Sequence, residues 1–342
     1  MKIGSLRFKS LREMERKAQF IGKGSFGSVY CASDEKGKKY ALKVMIQKSM
    51  ENPDKYSCYV SEAHMLTKVS YPTILHLYGY YEYSENESSN ILLILTEYCK
   101  NESLHNFFTE DKYNQLNTDK KIIIGYGVAL GMQYLHNHNI SHRDLKPDNI
   151  LLNDKFYPII SDFGFSRYSD TKVFSKEGTY LYSAPEIGLT PSSFEFSESS
   201  KLSESSKLSE SSKLSESSKL SESSKFLTQN YDTKKADVYS FGVVLFCLFL
   251  KSYKDLFEFL NEDNPLLIYS SLNSIQDESI RDIIKRCCNI NPNIRPSFDE
   301  IVEIMKGLFE NLKDKNEYDD FMKFIEDGKL YMKMDMELNK II

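Results

Sequence analysis

Along this chain the spacing of apolar residues is mostly strand-like, with one helical stretch, up to about residue 99 and helical from Thr118 onward, and that shift divides its 342 residues into two structural parts. Residues 18–46 read as strand, Gly-rich turn and strand: AQFIGKGSFGSVYCAS, then KKYALKVMI after the turn DEKGK. Residues 54–69 have helical spacing, with Val60, Ala63 or His64, and Met65 to Leu66 on one face. Two more strand-like runs follow, ILHLYGYYEY and NILLILTEYC, separated by the polar turn SENESSN. From Thr118 onward the pattern is helical, in TDKKIIIGYGVALGMQYLHNH and again over 238–250 and 280–288. The expected fold is α+β, a β-rich small lobe followed by an α-helical large lobe.

Composition narrows the setting. Lys and Arg total 44 against 49 Asp and Glu, a formal charge of -5, which gives no electrostatic reason to expect a nucleic-acid partner. The hydrophobic fraction of 41% is enough for a sizeable core. Six cysteines lack any CxxC spacing, which argues against a zinc ribbon or disulfide scaffold and for a reduced, cytoplasmic setting. The longest apolar run, residues 241–250, is about half of what a bilayer span requires, so a buried helix and no membrane span are expected. The charged N-terminal stretch has no apolar targeting core.

Residues 197–226 fit neither half. They are SESSKL four times and then SESSKF, each hexad carrying one Glu and one Lys. Leucines six apart never form one helical stripe, and a strand of this composition buries too little to offset its ordering entropy. A disordered Ser-rich insertion over 190–229 is expected, either a tolerated loop or a segment that shields or recruits partners.

Residues 22–29 spell G-x-G-x-x-G-x-V between two strands, whereas a dinucleotide fingerprint needs a strand entering a helix. Such glycines let backbone N–H groups approach phosphate oxygens. Lys43 lies on the next strand, on the face opposite Leu42, and Glu62 follows on the helix. An ion pair between them would hold the ammonium against nucleotide phosphates, with Leu66 packed one turn beyond. Farther on come His142-Arg143-Asp144-Leu145-Lys146-Pro147-Asp148-Asn149, then Asp162-Phe163-Gly164, then Ala184-Pro185-Glu186. With these H-R-D, D-F-G and A-P-E elements in order, the sequence resembles eukaryotic protein kinases of the serine/threonine type over about residues 16–308.

The resemblance implies the two-lobed kinase fold, with an N-lobe at about 16–98, a C-lobe at about 99–308, an N-terminal extension 1–15 and a tail 309–342. It implies ATP and Mg²⁺ as cofactors and transfer of the γ-phosphate to Ser/Thr hydroxyls of protein substrates. Asp144 would accept the hydroxyl proton and Lys146 would neutralise the moving phosphoryl group. Asn149 and Asp162 would supply oxygen ligands to Mg²⁺. Ile21, Gly22, Lys23, Gly24, Ser25, Phe26, Gly27 and Val29 would cover the nucleotide, with Ala41, Lys43, Glu62 and Leu151 around it. Thr96 would back the adenine pocket while Glu97 (carbonyl) and Cys99 (N–H) bond the adenine edge. Lys146 and Thr179 speak for a Ser/Thr acceptor, and TEYC with DVYSFGVVLF for the tyrosine-kinase-like branch. The alternative is a scaffold that binds nucleotide without efficient transfer; such relatives typically lose the equivalents of Lys43, Asp144 or Asp162.

Other residues read as structure or regulation. His136, His138 and His142 spell H-x-H-x-x-x-H, but no cysteine or carboxylate completes a zinc set. By resemblance, Glu186 and Arg295 form a buried ion pair and Asp237 receives catalytic-loop N–H groups. Cys287 and Cys288 are expected on different faces of one helix. Ser175 or Thr171 would be the site of an upstream activating kinase, or would merely solvate the loop. The tail carries Phe321, Met322, Phe324, Ile325, Leu330 and Met332 among charges, and either packs on the large lobe or leads toward another module.

Overall fold

The computed structural model describes residues 17–24, 27–48, 53–86, 89–109, 111–169, 180–188, 231–250, 252–262 and 267–341. The extension 1–15, Ser25, Phe26, Thr171, Ser175, Thr179 and the insertion 190–229 lie outside the described residues. The small lobe is built from β1 (Gln19–Gly24), β2 (Gly27–Ser33), β3 (Lys39–Lys48), helix α1 (Pro53–Leu66), β4 (Leu77–Asn86) and β5 (Ser89–Glu97). The strands form one antiparallel sheet in the order β1-β2-β3-β5-β4.

Register decides which side chains share a face, because residues directly opposite on antiparallel strands project to the same side. Val29 pairs with Lys43 and Lys43 with Ile94; Cys31 pairs with Ala41 and Ala41 with Thr96. Val29, Ala41, Lys43 and Thr96 therefore line one face. Leu42, paired with Tyr30 and Leu95, lies on the other, in a separate apolar layer with Tyr40, Ile91 and Leu93. At the start of β2 a side chain on Gly27 would place its Cβ 2.6 Å from the Val44 carbonyl oxygen, so only glycine lets the two strands close here.

The run ILHLYGYYEY is not one strand. β4 starts at Leu77, and Thr73 to Leu75 pair with the large lobe instead: Leu75 N–H donates to the Ile160 carbonyl at 2.9 Å, and Ile160 N–H to that of Thr73 at 2.8 Å. Its apolar alternation serves a joint between lobes, a distinction periodicity cannot make.

The large lobe follows the order α2 (Thr118–Asn137), β6 (Ile140–Ser141), β7 (Ile150–Leu152), β8 (Pro158–Ile160), β9 (Arg167–Tyr168), α3 (Pro185–Gly188), α4 (Thr233–Phe249), α5 (Tyr253–Glu262), α6 (Leu267–Ser271), α7 (Glu278–Cys287), α8 (Phe298–Glu310) and α9 (Lys315–Ile341). Helix α4 is buried from Ala236 to Leu248, which accounts for the apolar run at 241–250. Among the described residues no helix is long and apolar enough to cross a membrane. Asp232 caps the N-terminus of α4 by accepting from Lys234 and Lys235 N–H groups. At its other end the Tyr113 hydroxyl lies 2.9–3.2 Å from the carbonyls of Cys247, Leu248 and Leu250, capping acceptors the helix leaves open.

Arg295 is fully buried and forked onto Glu186, at 2.6 and 2.8 Å, with its guanidinium over the Tyr239 ring. The expected ion pair is thus present, in the bidentate geometry that suits arginine. Cys287, the last residue of α7, and Cys288, which caps it, are both fully buried against Gly242 of α4. The tail forms α9 and packs on the large lobe: Phe321 is fully buried among Tyr126, Tyr157, Phe309 and Phe324, whereas Leu330 is exposed.

Candidate active site

Between the two lobes, sheet register and a buried polar network bring the candidate residues together. On the small-lobe side Lys43 Nζ lies 2.5 Å from Glu62 Oε2, the lysine side chain 17% exposed and the glutamate 4%. Burial pushes the Glu62 carboxyl above the usual carboxylate range, the negative charge of Asp162 adds to this, and the Lys43 ammonium pulls it back. Leu66 is buried one turn beyond Glu62. Val29 and Ala41 are half-buried on the same sheet face as Lys43. Gly22 and Gly24 lie on β1 and pair with Val29 and Gly27 of β2, while Ile21 and Lys23 on the same strand are exposed.

The connection between lobes begins at Thr96, which is buried. Glu97 N–H donates to the His76 carbonyl at 3.1 Å, and the Glu97 carboxylate accepts from His76 N–H at 2.8 Å. Burial raises that carboxyl to about 7 against the pull of the His76 N–H and the Lys38 charge. Cys99 is buried and its thiol is pushed well above the ordinary thiol range by desolvation, so it stays neutral. The chain then lies along β7, with Ser103 bridged to Leu151 and Asn101 N–H donating to the Leu152 carbonyl. Leu151 is thereby brought beside the connection.

In the large lobe the loop after β6 carries Asp144, Lys146 and Asn149 with little regular structure to hold it. Asp144 Oδ2 accepts from Lys146 Nζ at 2.8 Å and from Asn149 Nδ2 at 3.0 Å; the same amide nitrogen donates to the Asp144 carbonyl at 2.7 Å. The loop is anchored from below by Asp237 of α4, 1% exposed, whose Oδ2 accepts from His142 N–H and Oδ1 from Arg143 N–H, both at 2.8 Å. His136 Nε2 reaches the same carboxylate at 2.9 Å.

A second link joins this loop to Asp162. His142 Nε2 lies 3.0 Å from the Ser161 carbonyl. A carbonyl only accepts, so Nε2 carries the proton and Nδ1 accepts from Asp144 N–H at 3.3 Å. Phe163, fully buried, packs edge-on against the His142 ring. Arg143 and Asp162 both have positive φ, 69° and 61°, a left-handed backbone that side chains other than glycine adopt only where the surroundings impose it.

The structure thus brings Lys43 and Glu62 together, with Asp162 near enough to act on Glu62, ties Asp144, Lys146 and Asn149 to one another, and sets Leu151 beside the connection that begins with Thr96, Glu97 and Cys99. The roles of His136 and of the Glu97 carboxylate were not foreseen. His136 shared a histidine spacing that drew attention to zinc, yet its Nε2 faces Asp237, while His138 Nδ1 faces the Tyr134 carbonyl and His142 Nε2 that of Ser161. Its one sequence clue was its place at the end of an apolar helix, which names no partner.

A family profile described as protein kinase domain matches residues 16–200, and one described as protein tyrosine and serine/threonine kinase matches residues 195–305. A probable serine/threonine-protein kinase of Dictyostelium discoideum is 30% identical over 307 residues, covering 85% of this chain and 24% of that protein. An RGS domain-containing serine/threonine-protein kinase of the same organism is 29% identical over 296 residues, covering 85% and 22%. A probable LRR receptor-like serine/threonine-protein kinase of Arabidopsis thaliana is 27% identical over 318 residues, covering 84% and 26%. The chain spans about a quarter of the length of these relatives.

Proposed function

Because the chain belongs to the eukaryotic protein kinase family, we propose that it transfers the γ-phosphate of ATP to Ser/Thr hydroxyls of protein substrates, with residues 16–308 as the catalytic domain. The observation that carries this reading is the buried Asp144, tied to Lys146 and Asn149 and set on the same loop framework as Asp162.

Each residue has work suited to its geometry. Asp144 accepts the proton of the acceptor hydroxyl as its oxygen bonds to the γ-phosphorus and the bond to the ADP oxygen breaks. Lys146, 2.8 Å from Asp144, places a positive charge where the transferring group gathers negative charge. Lys43, held by Glu62, meets the α- and β-phosphates. The Glu97 carbonyl and Cys99 N–H receive the adenine edge, with Val29, Ala41 and Leu151 on its faces and Thr96 behind.

The donor chemistry suits a hard divalent cation. Asn149 gives its amide nitrogen to Asp144, which turns its side-chain oxygen the other way, and Asp162 adds a carboxylate. Asn149 and Asp162 would hold Mg²⁺, which when bound neutralises phosphate charge. Among the described residues no group of three or more His, Cys, Asp or Glu could hold a metal by itself. The free, mostly buried cysteines support a cytoplasmic setting, and Arg143 beside Asp144 supports control by an upstream kinase acting on the segment that follows Asp162.

Radiolabel transfer from ATP to protein and metabolite acceptors, comparing the wild type with Asp144→Asn, tests this. Protein Ser/Thr labelling that falls about 10²–10⁴-fold in the variant is expected. Labelling of tyrosine alone overturns the acceptor class, and unchanged turnover overturns the role of Asp144. Nucleotide binding without transfer in the wild type would favour a scaffold, a reading that the presence of Lys43, Asp144 and Asp162 together speaks against.

A further inference from the structure

We infer that helix α9 is a positioning element for the nucleotide site, acting through Gly328 and Tyr331 on the segment 71–76 that holds Glu97. This rests on the nucleotide-binding reading above and adds to it a group of residues remote from the chemistry.

The hinge is held on two sides: Glu97 lies opposite Tyr40 of β3 on one, and is bonded to His76 on the other. Glu97 is tied to His76 twice, by its own N–H and by its carboxylate, so with β3 fixed on the other side a displacement of His76 moves the Glu97 carbonyl and the following Cys99 N–H. The segment leading to His76 is fixed to the large lobe on its inner side: Ser70 N–H donates to the Tyr134 hydroxyl at 3.1 Å, Tyr71 stacks on Tyr134, and Thr73 and Leu75 bond to Ile160. Its outer side is met by α9. A Cβ on Gly328 would lie 2.7 Å from Pro72 Cγ, so the helix backbone runs directly against Pro72. Lys329 Nζ lies 5.4 Å from the centroid of the Tyr71 ring. One turn on, the Tyr331 ring meets the His76 ring at 5.9 Å, edge to face, and His76 in turn meets Tyr78 at 4.6 Å.

The helix can transmit position because it is rooted elsewhere. Phe321 and Ile325 are buried in the large lobe, and from Phe321 to Tyr331 an α-helix rises about 15 Å. A bar fixed at Phe321 therefore presses on the residues that seat the hinge. Shifting the hinge by a fraction of an ångström spoils adenine hydrogen bonds while leaving Asp144, Lys146 and Asn149, held from α4, where they are. The effect falls on ATP binding rather than on the chemical step.

Steady-state kinetics with a Ser/Thr protein acceptor, on the whole chain, separate these outcomes. Tyr331→Ala removes an exposed ring, and Gly328→Leu drives a wedge against Pro72. Both are expected to raise KM for ATP about three- to tenfold, the size of one aromatic contact, with kcat within about twofold. Tyr331→Phe keeps the ring contact and should match the wild type. A purely structural role would lower kcat with the folded fraction and leave KM unmoved; that result, or KM unmoved in both variants of an active enzyme, overturns the inference alone. A wild type that neither binds ATP nor transfers phosphate overturns both this and the function it rests on.

Discussion

The two sides of the cleft hold their functional groups by different physics. On the small-lobe face Val29, Ala41, Lys43 and Thr96 are aligned by strand register, and their backbones are satisfied by the sheet ladder itself. The loop carrying Asp144 has no such ladder; the N–H groups of His142 and Arg143 are satisfied by a buried carboxylate 95 and 94 residues away in sequence. A sheet tolerates a changed side chain because its hydrogen bonds are backbone to backbone. A loop anchored on one side chain does not, since removing that side chain leaves buried donors without water.

The strongest attempt to break this contrast is Asp237→Ala. It orphans the N–H groups of His142 and Arg143 and the ring of His136, so a loss of about 2–5 kcal/mol in unfolding free energy and a collapse of turnover are expected from denaturant titration and transfer assays. A change below about 1 kcal/mol with turnover intact would refute polar anchoring of the loop. Its small-lobe counterpart, Glu62→Gln, should do the opposite: kcat/KM falls about ten- to hundredfold because Lys43 loses a charged partner, while stability moves by less than about 1 kcal/mol. Burial already disfavours the ionised Glu62, so a neutral isostere gives up little in folding. Comparable losses of stability in both variants would erase the distinction.

The smallest expected effect is a pH slope. The Glu97 carboxyl is raised from 4.5 to about 7, chiefly by burial. Across that window the native state keeps a proton the unfolded chain has released, so this group's contribution to stability is full below about 4.5 and is lost as pH rises to about 7. In Glu97→Gln the stability difference from wild type should shift in the mutant's favour between those values and stay constant above them. Parallel profiles would show that the carboxyl ionises freely in the folded chain.

Much of the site was legible because its chemistry is local in sequence. The strand alternation that set Lys43 opposite Leu42, and the helical spacing of Glu62 and Leu66, put the right groups on the right faces. Other parts were not. Ile74 and Leu75 alternate like the strand that follows them, yet they pair with β8, and no local pattern distinguishes those partners. His136 looked like part of a histidine set, whereas its partner lies 101 residues on. Phe321 was one apolar residue among charges, and its burial depends on where α2 and α8 leave room beside Gly127.

Sequence by itself determined which groups exist and in what order: a glycine turn between strands, a lysine and a glutamate on neighbouring elements, and a loop rich in Asp, Lys and Asn. Those are properties of short windows, where backbone geometry converts spacing directly into facing. Asp237 receives the N–H groups of His142 and Arg143, as the resemblance implied; the tertiary structure alone decided that His136 joins it and that α9 reaches the segment behind the hinge. Both follow from how helices far apart in the chain pack, and packing is set by the summed burial of the whole core rather than by any one stretch of it.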